Sequence, residues 1–162
     1  MQDPGPRPKP ERPLTGGCSC GAIRYTISAF PLLLYACHCT QCQRQSGSAF
    51  ALNMPVATTA LRVTAGTPQD WTRRTTAGDA MVRSFFCGTC GNRIYASRDT
   101  RPASVNVRAG TLDDTSWLMP VAHFFMGDAQ RWETIADPSS CYDSFPPDYQ
   151  PLAERWRALW GA

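Results

Sequence analysis

Seven of the eight cysteines in this 162-residue chain fall in three tight groups: Cys18 and Cys20, then Cys37, Cys39 and Cys42, then Cys87 and Cys90, with only Cys141 alone. A tetrahedral zinc ion with Zn–S bonds near 2.3 Å holds its sulfurs roughly 3.7 Å apart. Residues i and i+2 of an extended segment share a face, so Cys18 and Cys20 can reach one ion together. A C-x-x-C turn such as Cys87-Gly-Thr-Cys90 places two sulfurs on its inner side, and the glycine after it permits the positive φ that such a knuckle needs. A disulfide-linking role for Cys87 and Cys90 would call for a thioredoxin-like βαβ setting, and the surrounding pattern has none.

Seven clustered cysteines do not divide into two fours. The simplest partition joins Cys18 and Cys20 to Cys87 and Cys90 in a closed, structural zinc site. Tying together segments so far apart in sequence stabilises the fold by restricting the unfolded chain. Cys37, Cys39 and Cys42 are left as a three-ligand zinc site, whose open position is the pattern of a catalytic zinc. The alternative is that Cys141 completes this second site and both are structural. His38, between two ligands, would face the opposite way in a strand, as a packing residue or a proton shuttle. His123, in an apolar run, reads as a core residue. Arg44, two residues beyond Cys42, is the candidate to hold a substrate carboxylate, because a guanidinium fork matches a carboxylate better than an ammonium does.

The elements that must position these residues read as short strands. Strand-like segments cover 21–28, 32–36, 48–54, 61–64, 70–75, 81–86, 93–96, 105–108 and 121–126, with a helical turn at 40–46. Glycine and proline separate them, as at Pro55, Gly66, Pro68, Gly78, Gly110, Pro120 and Gly127. No β/α alternation and no repeat beyond the cysteine groups appears, so the fold class is mainly β. The segment 151–160 is helical, with proline in its first turn and Leu152, Trp156, Leu159 and Trp160 on one side. That side packs on the sheet, or else meets a second copy in a homodimer.

Length and composition fit one domain with a real core. Five prolines in residues 1–13 predict an extended, disordered arm. The expected organisation is this arm, a zinc-binding β domain over 14–136, and a C-terminal extension over 137–162 whose helix packs on the domain. No apolar run approaches the roughly 20 residues of a membrane span, and the N-terminus lacks the apolar core of a secretory signal. Cysteines without an export signal read as metal ligands in a cytoplasmic protein. Net charge is +3 and Lys9 is the single lysine, which is not the dense basic stripe of a nucleic-acid binder.

Gly16-Gly-Cys-Ser-Cys-Gly-Ala-Ile-Arg-Tyr25, Cys37-His-Cys-Thr-Gln-Cys-Gln-Arg-Gln-Ser-Gly-Ser-Ala-Phe50 and Phe86-Cys-Gly-Thr-Cys-Gly91 occur in that order. This resembles the glutathione-dependent formaldehyde-activating enzyme family, as does His123-Phe-Phe-Met-Gly-Asp-Ala-Gln-Arg-Trp132. The resemblance runs from about Gly16 to Trp132. It implies an Mss4-like fold of coiled, twisted antiparallel β-sheets stapled by zinc. It implies two zinc ions per chain, a structural one on Cys18, Cys20, Cys87 and Cys90 and a catalytic one on Cys37, Cys39 and Cys42. It further implies a carbon–sulfur lyase that joins a glutathione-like thiol to formaldehyde. Asn92 departs from the family pattern, which commonly has a small hydroxyl residue after the last Cys-Gly. A zinc-stapled module that binds or chaperones a partner is the non-catalytic alternative.

Overall fold

The computed structural model describes residues 9–75, 78, 80–135 and 137–161. The first eight residues of the proline-rich arm therefore lie outside the described part. Pro10 in the remainder is buried, and Lys9 Nζ donates to Gly161 O at 3.4 Å.

Eleven strands form two sheets among these residues. The smaller, antiparallel sheet has the order β1 (Leu14–Gly17), β2 (Arg24–Ile27), β5 (Leu61–Ala65). The larger sheet has eight strands. From one edge these are β11 (Cys141–Tyr142), β10 (Ala122–Phe124), β3 (Tyr35–Cys37), β4 (Ala51–Ala57), β9 (Ser104–Arg108), β8 (Arg93–Arg98), β7 (Met81–Phe86) and β6 (Gln69–Arg74). Most pairs are antiparallel, but β10 runs parallel to both β3 and β11. Hydrophobic alternation reports which face a residue takes, not the direction of its neighbour, so this was not legible in sequence.

Several boundaries differ from the sequence reading. β4 continues through Pro55, which sits opposite Asn106 of β9. The pairing of β3 covers only Ala51 to Asn53 of β4. Beyond it β4 is free of a ladder on that side, where a residue without N–H is tolerated. β1 went unread because Leu14-Thr-Gly-Gly17 carries one large apolar residue. Its glycines answer to close approach: a Cβ on Gly16 would come within 2.4 Å of the Tyr25 hydroxyl oxygen and 2.5 Å of Thr111 O. β11 is too short to leave a pattern.

Period-two alternation along the large sheet separates two kinds of residue. Met54, Val56, Val105 and Val107 face one way and are buried. Tyr35, Cys37, Asn53, Asn106, Arg108, Ala96 and Arg98 line a cavity on the other. The registers agree, since Tyr35 pairs with Asn53, Asn53 with Arg108 and Asn106 with Ala96.

Helix α2 (Gln150–Trp160) buries Leu152, Trp156 and Trp160 and ends at Gly161 in the left-handed region. The i, i+4, i+8 stripe takes the packing, and Leu159 is left 42% exposed. Trp156 donates from Nε1 to Pro31 O at 2.8 Å and meets Phe30, Trp117 and Trp160 at ring distances of 5.7 to 6.2 Å. The apolar face of α2 is thus used within the chain.

Candidate functional site

Cys18, Cys20, Cys87 and Cys90 come together with all four sulfurs within 4.8 Å of one another. Cys18 and Cys20 lie 3.5 Å apart and Cys20 and Cys87 3.7 Å apart, the spacing a tetrahedral zinc imposes. Cys18 and Cys20 do not sit on a strand, which corrects the extended geometry expected for them. They occupy a turn after β1, closed by Cys18 N–H to Ile23 O at 3.1 Å and Gly21 N–H to Cys18 O at 3.0 Å. Cys87 and Cys90 form a matching turn, with Gly91 N–H donating to Cys87 O at 2.9 Å. Gly21 and Gly91, each following a ligand, have φ of +77° and +75°, where a side chain is strained.

Backbone N–H groups face these sulfurs and stabilise negative charge on them. Ile23 N–H lies 3.2 Å from Cys18 Sγ. Burial raises the Cys18 thiol, but that contact and its sulfur neighbours bring it below the ordinary value. The Cys90 N–H draws Cys87 down, and the Asn92 N–H draws Cys90 down. Cys20 has the Ala22 N–H, yet the sulfurs crowding it push it up to about 12. Four such groups carry more protons as thiols than as a cation's ligands, so an ion binding here displaces protons. Asn92, the departure from the family pattern, joins the two turns: its Oδ1 accepts from Ser19 N–H at 2.7 Å and from the Ser19 hydroxyl.

The second group has different supports. Cys37 ends β3 in the middle of the large sheet, held by β4 and β10. Cys39 is the N-cap of helix α1 (Thr40–Ser46), and its sulfur accepts from Cys42 N–H at 3.3 Å. Cys42 lies in the first turn of that helix, where N–H groups favour a thiolate. The three sulfurs lie within 4.8 Å, with Cys37 and Cys39 3.6 Å apart. No fourth His, Cys or acidic donor joins them among the described residues. Hydrogen bonds from the Cys37 and Cys39 thiols, with the charge of Arg108, hold Cys42 far below the usual thiol range, while Cys37 is driven far above it.

Gln43 fixes α1 in place. Its Nε2 donates to His38 O at 2.6 Å and Asp128 O at 2.7 Å, and its Oε1 accepts from Gln130 Nε2 at 2.8 Å. Asp128 Oδ2 also accepts from Thr40 N–H at 3.3 Å, at the helix start. The segment after β10 thereby clamps the element that carries Cys39 and Cys42.

Cys37, Cys39 and Cys42 line a cavity of about 570 Å³, open solvent at its mouth included. Four arginines line it as well: Arg73, Arg93, Arg98 and Arg108. A register shift at Phe85/Phe86 of β7 breaks the alternation of β8. Arg93 consequently lines the same cavity as Ala96 and Arg98. Phe125, with φ +62°, and Phe145 form another wall, their rings 4.9 Å apart. A second cavity of about 740 Å³ adjoins, sharing Tyr35, Arg98, Asn106 and Phe145 and adding Leu32, Leu33, Arg101, Tyr149 and Ala153.

The remaining residues singled out from sequence lie elsewhere. Arg44 is on the exposed side of α1 and does not line the cavity. His38 is fully buried and does not line it either. Its Nε2 is 3.0 Å from His123 Nδ1. Its Nδ1 is 3.1 Å from a Glu133 carboxylate oxygen, out of line for a hydrogen bond. Burial lowers both imidazoles and raises Glu133. Cys141 pairs in β11 opposite His123 and is outside the trio. The arginines and Gln43 were missed from sequence. β6 to β9 follow one another as a meander, and the pairing of β9 with β4, beside β3, sets that meander next to the cysteine trio, which no local pattern encodes.

Fold and thiol clusters together define a mainly β, Mss4-like protein with two cysteine groups that could each hold a metal ion. Residues 13–128 match the model of the family described as glutathione-dependent formaldehyde-activating enzyme, and the chain belongs to that family. A crystal structure of a Rhodobacter sphaeroides protein, a structural-genomics target, is similar in fold. It has a TM-score of 0.50 and 23% sequence identity, over 62% of this chain and 89% of that one. A search of curated proteins returns no match. No described helix is long and apolar enough to cross a membrane.

Proposed function

We propose that this chain is a zinc-dependent carbon–sulfur lyase that forms or splits an adduct between a small thiol and a carbonyl compound at Cys37, Cys39 and Cys42. Glutathione and formaldehyde, the pair in the family's description, are the first substrates to try. The observation that carries the reading is the trio itself, three converging sulfurs in a cavity with no fourth donor among the described residues. Zinc at this site would take the substrate's sulfur in the open position and keep it as thiolate. Cys18, Cys20, Cys87 and Cys90 would hold a second zinc in a closed, structural set.

The chain's own residues then have separable tasks. The helix start and Gln43 orient Cys39 and Cys42. Arg108 places positive charge beside the sulfurs, favouring thiolate over thiol. The cavity holds thiol and carbonyl together, and proximity supplies most of the acceleration for partners that already combine unaided. The substrate sulfur bonds to the carbonyl carbon, and the oxygen, gaining the π pair, takes a proton from water. The reverse sequence expels the carbonyl compound. All eight cysteines are unpaired, which suits a reducing compartment, and we place the protein in the cytoplasm.

Magnetisation-exchange NMR on glutathione, formaldehyde and their adduct tests this directly. Zinc-replete protein should speed interconversion, and Cys42→Ser should abolish the effect while Cys141→Ser leaves it intact. No acceleration by the zinc-replete protein would leave the non-catalytic binding module as the better description.

A further inference from the structure

The charge around the cysteine trio is lopsided. Arg73, Arg93, Arg98 and Arg108 line the cavity, and no Asp or Glu does so among its described lining residues. Among the described residues none of the four is paired with a carboxylate. What holds them is neutral. Arg108 donates to Asn53 Oδ1 at 2.8 Å and Gln45 Oε1 at 3.1 Å. Arg73 donates to Gln41 Oε1, and the Arg98 guanidinium lies 4.8 Å from the Phe145 ring centroid. Amide oxygens and a ring face fix direction without cancelling charge. Nε of Arg73 and Nε of Arg93 are buried with no hydrogen-bond partner among the described residues.

Four like charges in a half-buried cavity repel one another, and an unsatisfied buried donor costs further stability. Burial, with Arg108 and Arg73 nearby, lowers Arg93 to about 10. Three thiolates with a divalent cation carry only one net negative charge, too little to balance the four guanidiniums. A ligand bearing carboxylates would supply the missing counter-charge.

We propose, resting on the thiol-adduct reading above, that this cavity ranks thiols, glutathione among them, by the carboxylates they carry and discounts an amine, with Arg73, Arg93, Arg98 and Arg108 as the receptors. Carboxylates suit guanidinium forks in geometry as well as charge. An ammonium on the thiol would meet the same arginines and no described acceptor carboxylate. The preference therefore ranks mercaptosuccinate above 3-mercaptopropionate, then 2-mercaptoethanol, then cysteamine. Acetylating the amine of glutathione should strengthen its binding.

The test uses full-length protein with cobalt in place of zinc. Thiol binding is read from the sulfur-to-cobalt charge-transfer band at fixed pH, corrected for each thiol's own pKa. Each charge-assisted contact is worth about tenfold, so mercaptosuccinate should bind about a hundredfold tighter than 2-mercaptoethanol. Arg93→Gln and Arg98→Gln, made separately, should each cut that ratio by about tenfold and leave 2-mercaptoethanol unchanged, which also reports an intact metal site. Equal affinity across the series, or tighter binding of cysteamine, would overturn the proposal while sparing the thiol-adduct reading. No response to any thiol would overturn both.

Discussion

Replacing Gln43 with alanine should loosen one metal site and spare the other. The side chain makes three hydrogen bonds that anchor α1, at 2.6 Å to His38 O, 2.7 Å to Asp128 O and 2.8 Å from Gln130. The first is part-buried and is worth about 1 kcal/mol, while the two exposed bonds together add about 1 kcal/mol more. The loss of about 2 kcal/mol falls on the helix that presents Cys39 and Cys42, so affinity of the trio for its ion should fall about thirtyfold. Cys18, Cys20, Cys87 and Cys90 lie on other elements and should hold their ion as before. Stepwise chelator competition, with zinc release followed by a colorimetric indicator, separates the two affinities. Equal weakening of both sites would mean that Gln43 acts through global stability. No change in either would refute the view that the segment 126–130 positions the trio.

Three further outcomes follow from the structure. In the zinc-replete protein only Cys141 should react with iodoacetamide, against all eight cysteines after chelation and denaturation. Burial and Asp137 hold the Cys141 thiol above its ordinary value. Its alkylation should accordingly be slow at neutral pH and accelerate as pH rises through that raised value, which mass-spectrometric labelling would follow. Asn92→Ala removes the acceptor shared with Ser19. It should cost about 1 kcal/mol and speed metal release from the four-cysteine site alone, measured by chelator kinetics. Trp156→Ala removes a fully buried indole and its bond to Pro31 O. A loss of about 3–5 kcal/mol in denaturant unfolding is expected, and a value under about 1 kcal/mol would show that α2 contributes little to the fold.

The cysteine groups were legible because metal ligation writes itself in short spacings. C-x-C and C-x-x-C place sulfurs near each other whatever the rest of the chain does, and α1 could be read from Thr40 to Ser46. Alternation and turn residues gave most strands of the large sheet to within a few residues. The anion-facing surface was hidden for a physical reason. Arg73, Arg93, Arg98 and Arg108 come from a meander, β6 to β9, that reaches the trio only through the non-local pairing of β9 with β4, next to β3, and Arg93 enters through a register shift that breaks its own strand's alternation. Arg44 drew attention by sequence proximity to Cys42, yet a helix turns neighbouring positions to different sides. His38 was readable only in part. Alternation set it opposite Cys37, but its contacts with His123 and Glu133 depend on the parallel pairing of β10 with β3.

Whether the Cys37–Cys39–Cys42 ion accepts an outside sulfur is best settled by zinc X-ray absorption on the doubly loaded protein, before and after adding mercaptosuccinate. Seven cysteine sulfurs should surround the two ions at first, with a lighter oxygen atom completing the trio's shell, and the thiol should replace that oxygen with sulfur. A fully sulfur-ligated pair of ions before any thiol is added would mean that Cys141 has closed the site, and the proposed chemistry would have nowhere to occur.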